Sequence, residues 1–299
     1  MEDPSTARPD PTQLPGADDP FVQLRFGELL LWLGLGILGG FALTGGLLPA
    51  LEVEKTDPIA LQAITIPIYL AAGAWLLLSF RRQGIDWGRL TGPAPEPKYM
   101  RLSLGVVLTA LLLGVALKAL IYLRLSGTDP GPIGDEPPGL TETGYPHVLN
   151  ALLIFGTVIV APIVQEVFFR GVLIHRWAAR FNPRAAVLYS SLFFGFIHFD
   201  VIGYFVFGLL MARLYLKSRS LHVPILCHML HNAILVVSGT AIPGPASPNS
   251  LVMNRVLTDE PWIGLSALAV SFPLILFFSR ELESPPEQPL PYHDPEPRD

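Results

Sequence analysis

The chain has 299 residues, of which 51% are hydrophobic and 15% are charged, and its mean hydropathy is +0.46. Because a soluble globular protein carries about 25% charged residues, this composition indicates an integral membrane protein. The net charge is −5 and the sequence has no basic block, which argues against a nucleic-acid partner. The single cysteine, Cys227, excludes an intrachain disulfide.

Eight apolar segments approach the roughly 20 residues that a helix needs to cross a bilayer. The sequence therefore predicts an all-α, polytopic membrane helical bundle with about eight transmembrane helices. The fifth and sixth segments are short and almost contiguous, so a re-entrant pair is an alternative there. The predicted spans are Phe26–Leu48, Pro58–Phe80, Leu102–Leu123, Val148–Ile174, Ala185–Phe199, Val201–Leu216, Leu221–Ser238 and Trp262–Phe278.

The placement of Lys and Arg residues predicts the orientation of these spans. If the connection between residues 81 and 101 is cytoplasmic, only Lys55, Arg124 and Arg255 lie outside the helices on the opposite side of the membrane. Cytoplasmic connections carry an excess of Lys and Arg. We therefore expect an N-in, C-in topology.

Composition also divides the chain into regions. Residues 1–22 and 281–299 are rich in Pro and acidic residues, so we expect disordered tails, the first of them cytoplasmic. Between them the sequence predicts three transmembrane helices in residues 23–125, an extracytoplasmic loop at 126–147, a core at 148–240, and a loop with the last helix at 241–280.

Glycines recur along the first predicted span. Small residues are typical of closely packed membrane helices, although a flexible anchor helix is an alternative interpretation. These glycines are Gly34, Gly36, Gly39, Gly40, Gly45 and Gly46.

Three of the apolar segments contain polar side chains that are unfavourable in lipid. Ionisable groups inside membrane helices are rare and usually mark a functional site. With a rise of about 1.5 Å per residue, Glu166, His198, His228 and Asn232 lie at overlapping depths, roughly 10–20 Å from one membrane boundary. We therefore expect them to converge in one pocket. The polar side chains of the three segments are Gln165, Glu166 and Arg170 in the fourth segment, His198 in the fifth, and His228, His231 and Asn232 in the seventh.

Helical phase indicates which of these side chains share a face. Glu166 and Arg170 are four residues apart and can form an ion pair along the helix. Gln165 lies about 100° away and points elsewhere. A buried structural ion pair and a direct catalytic role both remain open for Glu166.

His228 and Asn232 are also four residues apart, so both can face one cavity. Hydrolysis of a peptide bond needs a base that activates water and donors that stabilise the oxyanion. A histidine can help to activate water, and His228 with Asn232 could donate hydrogen bonds to the oxyanion. His231 lies between them in phase and either joins the cavity or packs against a neighbouring helix.

In this order, the residues resemble the CPBP family of intramembrane proteases. That family includes the type II CAAX prenyl endopeptidases and the bacterial Abi proteins, some of them linked to bacteriocin self-immunity. Its pattern is Glu-Glu-x-x-x-Arg, then Phe-x-x-x-His, then His-x-x-x-Asn. The matching residues are Gln165-Glu166-x-x-x-Arg170, Phe194-x-x-x-His198 and His228-x-x-x-Asn232, within about Val148 to Gly239.

The resemblance implies roles for individual residues. His198 would activate water, and His228 and Asn232 would form the oxyanion site. Glu166 corresponds to the second glutamate of the pattern and Arg170 to its arginine. We count Glu166 as the fourth candidate catalytic residue, on the hypothesis that it takes the base role, with Gln165, Arg170 and Phe194 as candidate supporting residues.

Gln165 departs from the family pattern, because it stands where the first glutamate is expected. A primary amide is not a base near neutral pH, although it can hold a water by hydrogen bonds. Loss of a general base typically lowers a rate by about 10²–10⁴-fold.

A divalent metal is a further expectation. Histidine nitrogens and one carboxylate are a ligand set that suits zinc, which would make the protein a metalloprotease. The candidate ligands are Glu166, His198, His228 and His231.

The resemblance implies an intramembrane endopeptidase in a bacterial cytoplasmic membrane. Its partners would be the lipid bilayer and a membrane-embedded or lipidated protein substrate. Gln165 motivates a second hypothesis, a catalytically impaired pseudoprotease that binds membrane proteins or acts as a bacteriocin-immunity factor. A transporter is a third interpretation, but the inverted repeats that would support it are not evident in the sequence.

Overall fold

The computed structural model describes residues 18–53, 58–124, 146–198, 200–240, 261–283 and 288–293, and these residues form helices and connections without a β-strand. The predicted all-α membrane bundle is therefore confirmed. The main helices of the described residues are α1 (Phe26–Ala50), α2 (Pro58–Gln83), α3 (Pro97–Arg124), α4 (His147–Ala178), α5 (Pro183–Phe196), α6 (Val201–Ser218), α7 (His222–Thr240) and α8 (Pro261–Glu281).

Six of these helices are long and apolar enough to cross a membrane, namely α1, α2, α3, α4, α6 and α8. The apolar part of α7, His222–Val237, is shorter, and α5 has only 14 residues. At about 1.5 Å per residue α5 is roughly 21 Å long, less than the hydrocarbon thickness of about 30 Å. The prediction of about eight membrane helices is compatible with this arrangement. Of the two uncertain spans, the sixth is long enough to cross and the fifth is not.

Helix α4 lies at the centre of the bundle, where it contacts α2, α5 and α7. Around it, α1 packs along α2, α8 along α3, and α6 along α5. Two π-helical segments interrupt α4, at Phe155–Val160 and Val167–Leu173. Such segments are rare and frequently occur at functional sites. Side chains of α4 enter two separate buried apolar clusters, through Val172 on one side and Phe169 on the other.

Close packing between α1 and α2 depends on two glycines. A Cβ added at Gly36 would lie 2.7 Å from the Cα atom of Ile68, and one at Gly40 would lie 2.7 Å from the Cα atom of Ile64. Only a residue without a side chain allows this approach of the two backbones. The expected close packing is therefore found at these two positions, whereas a Cβ at Gly34 would have nothing within 4 Å.

The N-terminal segment, residues 18–24, packs against the end of α4. Phe21 and Leu24 are buried, and the Arg176 guanidinium donates hydrogen bonds to the backbone carbonyl oxygens of both. The sequence predicts a disordered tail over residues 1–22, and the described part of that tail differs from this expectation. The physical reason is that Phe21 supplies apolar surface to bury while Arg176 satisfies carbonyl groups that burial removes from water.

The C-terminal segment, residues 288–293, covers the same end of the bundle. Tyr292 is buried, its carbonyl oxygen accepts a hydrogen bond from Arg89 at 3.0 Å, and its hydroxyl accepts one from the Asp86 backbone N–H at 3.2 Å. The described part of the tail predicted to be disordered at 281–299 is therefore also packed. Its buried aromatic ring is a local exception to the Pro-rich, acidic composition.

A chain of hydrogen bonds joins these two segments to the helices. The imidazole Nε2 of His293 donates to Asp19 Oδ2 at 2.6 Å, and His293 Nδ1 lies 3.4 Å from His175 Nδ1. His175 is fully buried in α4, and its Nε2 lies 2.9 Å from the hydroxyl oxygen of Tyr215 in α6. We call Asp19, His293, His175 and Tyr215 the terminal clasp.

Both described terminal segments thus lie at one end of the bundle, which we call the basic end, together with residues 81–101, 174–184 and 217–222. The predicted N-in, C-in topology requires both ends on one side. That the basic end faces the cytoplasm stays a prediction. The predicted loop at 126–147 lies outside the described residues apart from the start of α4.

Substituting Gly36 with valine should destabilise the bundle, because the new side chain would overlap the α2 backbone. Overpacking typically costs about 1–3 kcal/mol. Gly34→Val is the matched control on the same helix, since a side chain there meets open space. Thermal unfolding of both purified variants in detergent would check this, and equal melting temperatures would contradict it.

Candidate functional site

A buried ion pair lies at the centre of the site. Glu166 and Arg170 are 0% and 1% exposed, and Arg170 Nη1 donates to Glu166 Oε1 at 3.1 Å. Arg170 Nη2 donates to the carbonyl oxygen of Gly208 in α6 at 3.0 Å. The i,i+4 ion pair that the sequence predicts is therefore present. It also joins α4 to α6.

His228 of α7 shares the same carboxylate. Its Nδ1 lies 2.8 Å from Glu166 Oε1, so this oxygen accepts hydrogen bonds from both His228 and Arg170. Because a carboxylate oxygen only accepts here, Nδ1 carries the hydrogen, and the neutral ring has its lone pair at Nε2. The other carboxylate oxygen, Glu166 Oε2, is buried and has no hydrogen-bond partner among the described residues.

His198 lies outside a helix. The sequence predicts a span to Phe199, but α5 ends at Phe196 and His198 follows in a bend. The break is set by the next helix, where the Asp200 carboxylate accepts a hydrogen bond from the Gly203 backbone N–H and so begins α6.

Two contacts hold the His198 ring in place. His198 Nδ1 donates to the Phe194 carbonyl oxygen at 2.7 Å, which leaves the lone pair of the neutral ring at Nε2. The imidazole stacks on Tyr204, with 4.0 Å between ring centroids and 11° between planes. His198 is only partly buried, unlike His228. The sequence did not lead us to predict a role for Tyr204. Its aromatic ring in the first turn of α6, six residues after His198, could have indicated a contact with that histidine.

Phe194 is the shared neighbour of the charged pair and both histidines. It is fully buried, and its ring centroid lies 4.6 Å from the Arg170 guanidinium, 4.6 Å from the His198 ring and 5.9 Å from the His228 ring. The negative face of an aromatic ring attracts a cation at such distances. The motif phenylalanine therefore packs Arg170, His198 and His228 around one ring.

Asn232 and His231 lie further along α7. Asn232 Nδ2 donates to the Thr157 carbonyl oxygen at 2.9 Å, which fastens α7 to the first π-helical segment of α4. Asn232 Oδ1 lies 3.3 Å from His231 Nδ1, and the His231 ring stacks on Phe207 at 4.7 Å. His231 thus packs against α6. Asn232 retains a second amide hydrogen beyond the one on Thr157.

Gln165 lies on a different face of α4. It is 5% exposed, and its Nε2 donates to the hydroxyl of Tyr69 in α2 at 3.1 Å. This agrees with the helical phase, which predicts that Gln165 points away from Glu166. The structure therefore brings together Glu166, Arg170, Phe194 and His228, with His198 beside them, whereas Gln165 connects α4 to α2.

The four candidate zinc ligands do not form a ligand set. Within the part of the chain that the structure describes, no group of three or more His, Cys, Asp or Glu side chains is placed to hold a metal ion. Glu166 and His228 bond to each other, and His231 stacks on Phe207. Metal dependence stays a prediction from sequence, and no chemical step below passes through a metal.

The same part of the chain matches a known protein family. Residues 147–234 match the family model of the Rce1-like type II CAAX prenyl endopeptidases. This segment runs from the start of α4 into α7 and contains all three motifs, so the predicted resemblance is confirmed over it. At the level of the family, this segment is therefore similar to a membrane peptidase.

A curated relative agrees with this assignment. The protein named "Putative membrane peptidase YdiL" from Bacillus subtilis (strain 168) is 33% identical over 89 residues, which cover 29% of this chain and 36% of the relative. The aligned region is thus about a third of the relative's length. No solved structure matches the chain.

Replacing Arg170 with methionine should strongly destabilise the protein, because Glu166 would keep a buried charge without its cation. Breaking a buried ion pair in this way costs about 3–5 kcal/mol. Arg82→Met is the matched control, since Arg82 pairs with Glu28 at 2.8 Å but is 61% exposed, and exposed pairs contribute about 0–1 kcal/mol. Denaturant unfolding in mixed micelles measures both, and similar losses would contradict the assignment.

Proposed function

We propose that this chain is an intramembrane endopeptidase of the CAAX protease type that hydrolyses a peptide bond in a membrane-embedded or lipidated protein substrate. The observation that carries the proposal is the arrangement of Arg170, His228 and His198 around Phe194, inside the segment that matches a peptidase family. Glu166 joins this arrangement through its hydrogen bonds with Arg170 and His228. Polar groups buried among membrane helices are expensive, and their assembly at one place favours a chemical role over separate structural roles.

His198 is the residue that we assign to water activation. Its Nδ1–H is held by the Phe194 carbonyl, so Nε2 can accept a proton, and the ring is accessible because it is only partly buried. A water proton would pass to Nε2 while the water oxygen bonds to the substrate carbonyl carbon. The same proton would then go to the leaving amine as the C–N bond breaks.

Asn232 is the donor that we assign to the oxyanion. Its second amide hydrogen can donate without any change of protonation, and the bond to Thr157 holds the amide in place. The expected donor role of His228 is less direct. With its Nδ1–H on Glu166, a neutral His228 ring accepts at Nε2 and could donate there only as imidazolium.

Glu166 has a double role in this proposal. Oxygen Oε1 orients His228 and binds Arg170, while the unpartnered Oε2 can accept a hydrogen bond from water. Glu166 would thus supply the carboxylate that position 165 lacks.

A pseudoprotease is the second candidate, and the contact of Gln165 favours it. The side chain at position 165 holds α4 to α2 through Tyr69, which is a structural use of a position where the family pattern has a glutamate. Such a protein would keep the pocket for binding membrane proteins, or would act as an immunity factor.

The variant His198→Ala should abolish cleavage, because it removes the proton acceptor. Purified full-length protein in proteoliposomes would be assayed with a panel of membrane-anchored and C-terminally lipidated reporter peptides. His147→Ala is the control, since His147 is exposed at the start of α4. Unchanged cleavage by His198→Ala would exclude this mechanism.

The variant Gln165→Glu separates the two candidates. If His198 and Glu166 carry the chemistry, the unchanged chain cleaves and the variant gains less than about tenfold, since position 165 points toward Tyr69. A gain of about 10²–10⁴-fold, the usual effect of a general base, would instead identify the native chain as impaired. The measurement is the cleavage rate in the same proteoliposome assay, with Gln165→Met as the uncharged control.

A further inference from the structure

A cavity of about 640 Å³ opens at the basic end of the bundle, away from the peptidase site. This volume falls within the range of about 300–1,000 Å³ that small-molecule sites occupy. The cavity lies between the N-terminal end of α5, the C-terminal half of α6 and the C-terminal segment. No residue assigned to catalysis above lines it.

The lining of this cavity is positively charged. Among the described residues, Arg184, Arg213 and Arg219 line it together with one carboxylate, Glu283. Two of the guanidinium groups are anchored by backbone carbonyls, Arg213 on Ser279 and Arg219 on Pro289, each through one nitrogen. The N-terminus of α5 also reaches the cavity through Asn182, and the dipole at a helix N-terminus favours an anion.

The other walls are apolar. Leu188 of α5 is 46% exposed, and Leu209 and Leu216 of α6 continue the same surface. A ligand that fits must therefore combine a negative group with hydrocarbon. A free inorganic anion would leave the leucine wall unused, and a wholly apolar molecule would leave the Arg184 and Arg213 guanidinium groups without an anion.

The C-terminal segment completes the cavity. Gln288, Pro289 and Leu290 form part of its lining, and the terminal clasp holds the end of this segment at His293. The segment is thus held as a wall of the cavity by its own hydrogen bonds.

We propose that this cavity binds the phosphodiester headgroup of an anionic phospholipid, with its acyl chain along Leu188, Leu209 and Leu216. Basic cavities between membrane helices at the cytoplasmic side suit anionic headgroups, since that leaflet carries negatively charged lipids. Arginine is well suited to this role because its planar guanidinium can donate two parallel hydrogen bonds to a phosphate.

A local fluorescence measurement tests this proposal. The single native cysteine, Cys227, is fully buried, so a cysteine introduced as Leu192→Cys can be labelled selectively with a small fluorophore. Leu192 is one turn beyond Leu188 on α5 and does not line the cavity. The labelled full-length protein would be placed in phosphatidylcholine vesicles containing a few per cent of spin-labelled phosphatidylglycerol or spin-labelled phosphatidylcholine.

We expect spin-labelled phosphatidylglycerol to quench more strongly than spin-labelled phosphatidylcholine. In the labelled Leu192→Cys protein, the further substitution Arg184→Gln should weaken the apparent affinity for phosphatidylglycerol about fivefold. This is the size of the effect that one cation has near a membrane surface, about 1 kcal/mol. Arg184 is exposed and should tolerate the change without unfolding. Arg180→Gln is the matched control, because Arg180 is also exposed at the basic end but does not line the cavity.

Three outcomes would overturn the proposal. Equal quenching by the two lipids would show that the cavity does not select anionic headgroups. An equal effect of Arg184→Gln and Arg180→Gln would indicate general surface attraction. Loss of the phosphatidylglycerol preference on adding millimolar glycerol 3-phosphate would identify a site for a soluble phosphate.

Discussion

The carboxylate of Glu166 is the group on which the centre of this protein depends. A charge in the interior of a membrane bundle is tolerated only if other groups compensate it. Glu166 obtains that compensation from Arg170 on its own helix and from His228 on α7, while Arg170 in turn binds a carbonyl of α6. Satisfying one buried carboxylate therefore fixes the relative positions of three helices.

Phe194 extends this constraint to α5. Because the ring contacts the Arg170 guanidinium and the His198 imidazole, the charged pair and the accessible histidine share one rigid neighbour. Tyr204 of α6 stacks on the His198 ring and so restricts the orientation of that ring. The reactive nitrogen is thus positioned by packing, although His198 itself lies in a bend between two helices, where backbone alone would hold it less firmly.

Local features of the site were predictable from the sequence because they depend on helical geometry. The Glu166–Arg170 pair and the divergent direction of Gln165 both follow from residue spacing within one helix. The contact between His228 and Glu166 spans 62 residues, and spacing does not report contacts between helices. The end of α5 before His198 was missed because apolar residues continue past it, while the cap that decides the boundary is Asp200.

In the fold as well, features of a single segment were predictable, whereas contacts between distant segments were not. Hydropathy located the helices, since apolar length is a property of each segment. It could not reveal that Phe21 and Tyr292 are buried, because one aromatic residue in a Pro-rich, acidic stretch scarcely changes the average. Composition describes a tail as a whole, whereas docking depends on single side chains that meet a complementary surface.

The terminal clasp has a consequence for the order of assembly. Asp19 and His293 are 274 positions apart in the chain, and a chain is synthesised and folded from its N-terminal end. Their hydrogen bond can form only after the whole stretch from Asp19 to His293 has been synthesised. Closing so long a loop costs little more entropy than closing one of half the length, so the contact is not penalised for its span. The bond between Asp19 and His293 therefore depends on residues from both ends of the described chain, and it cannot contribute to the stability of a partly synthesised bundle.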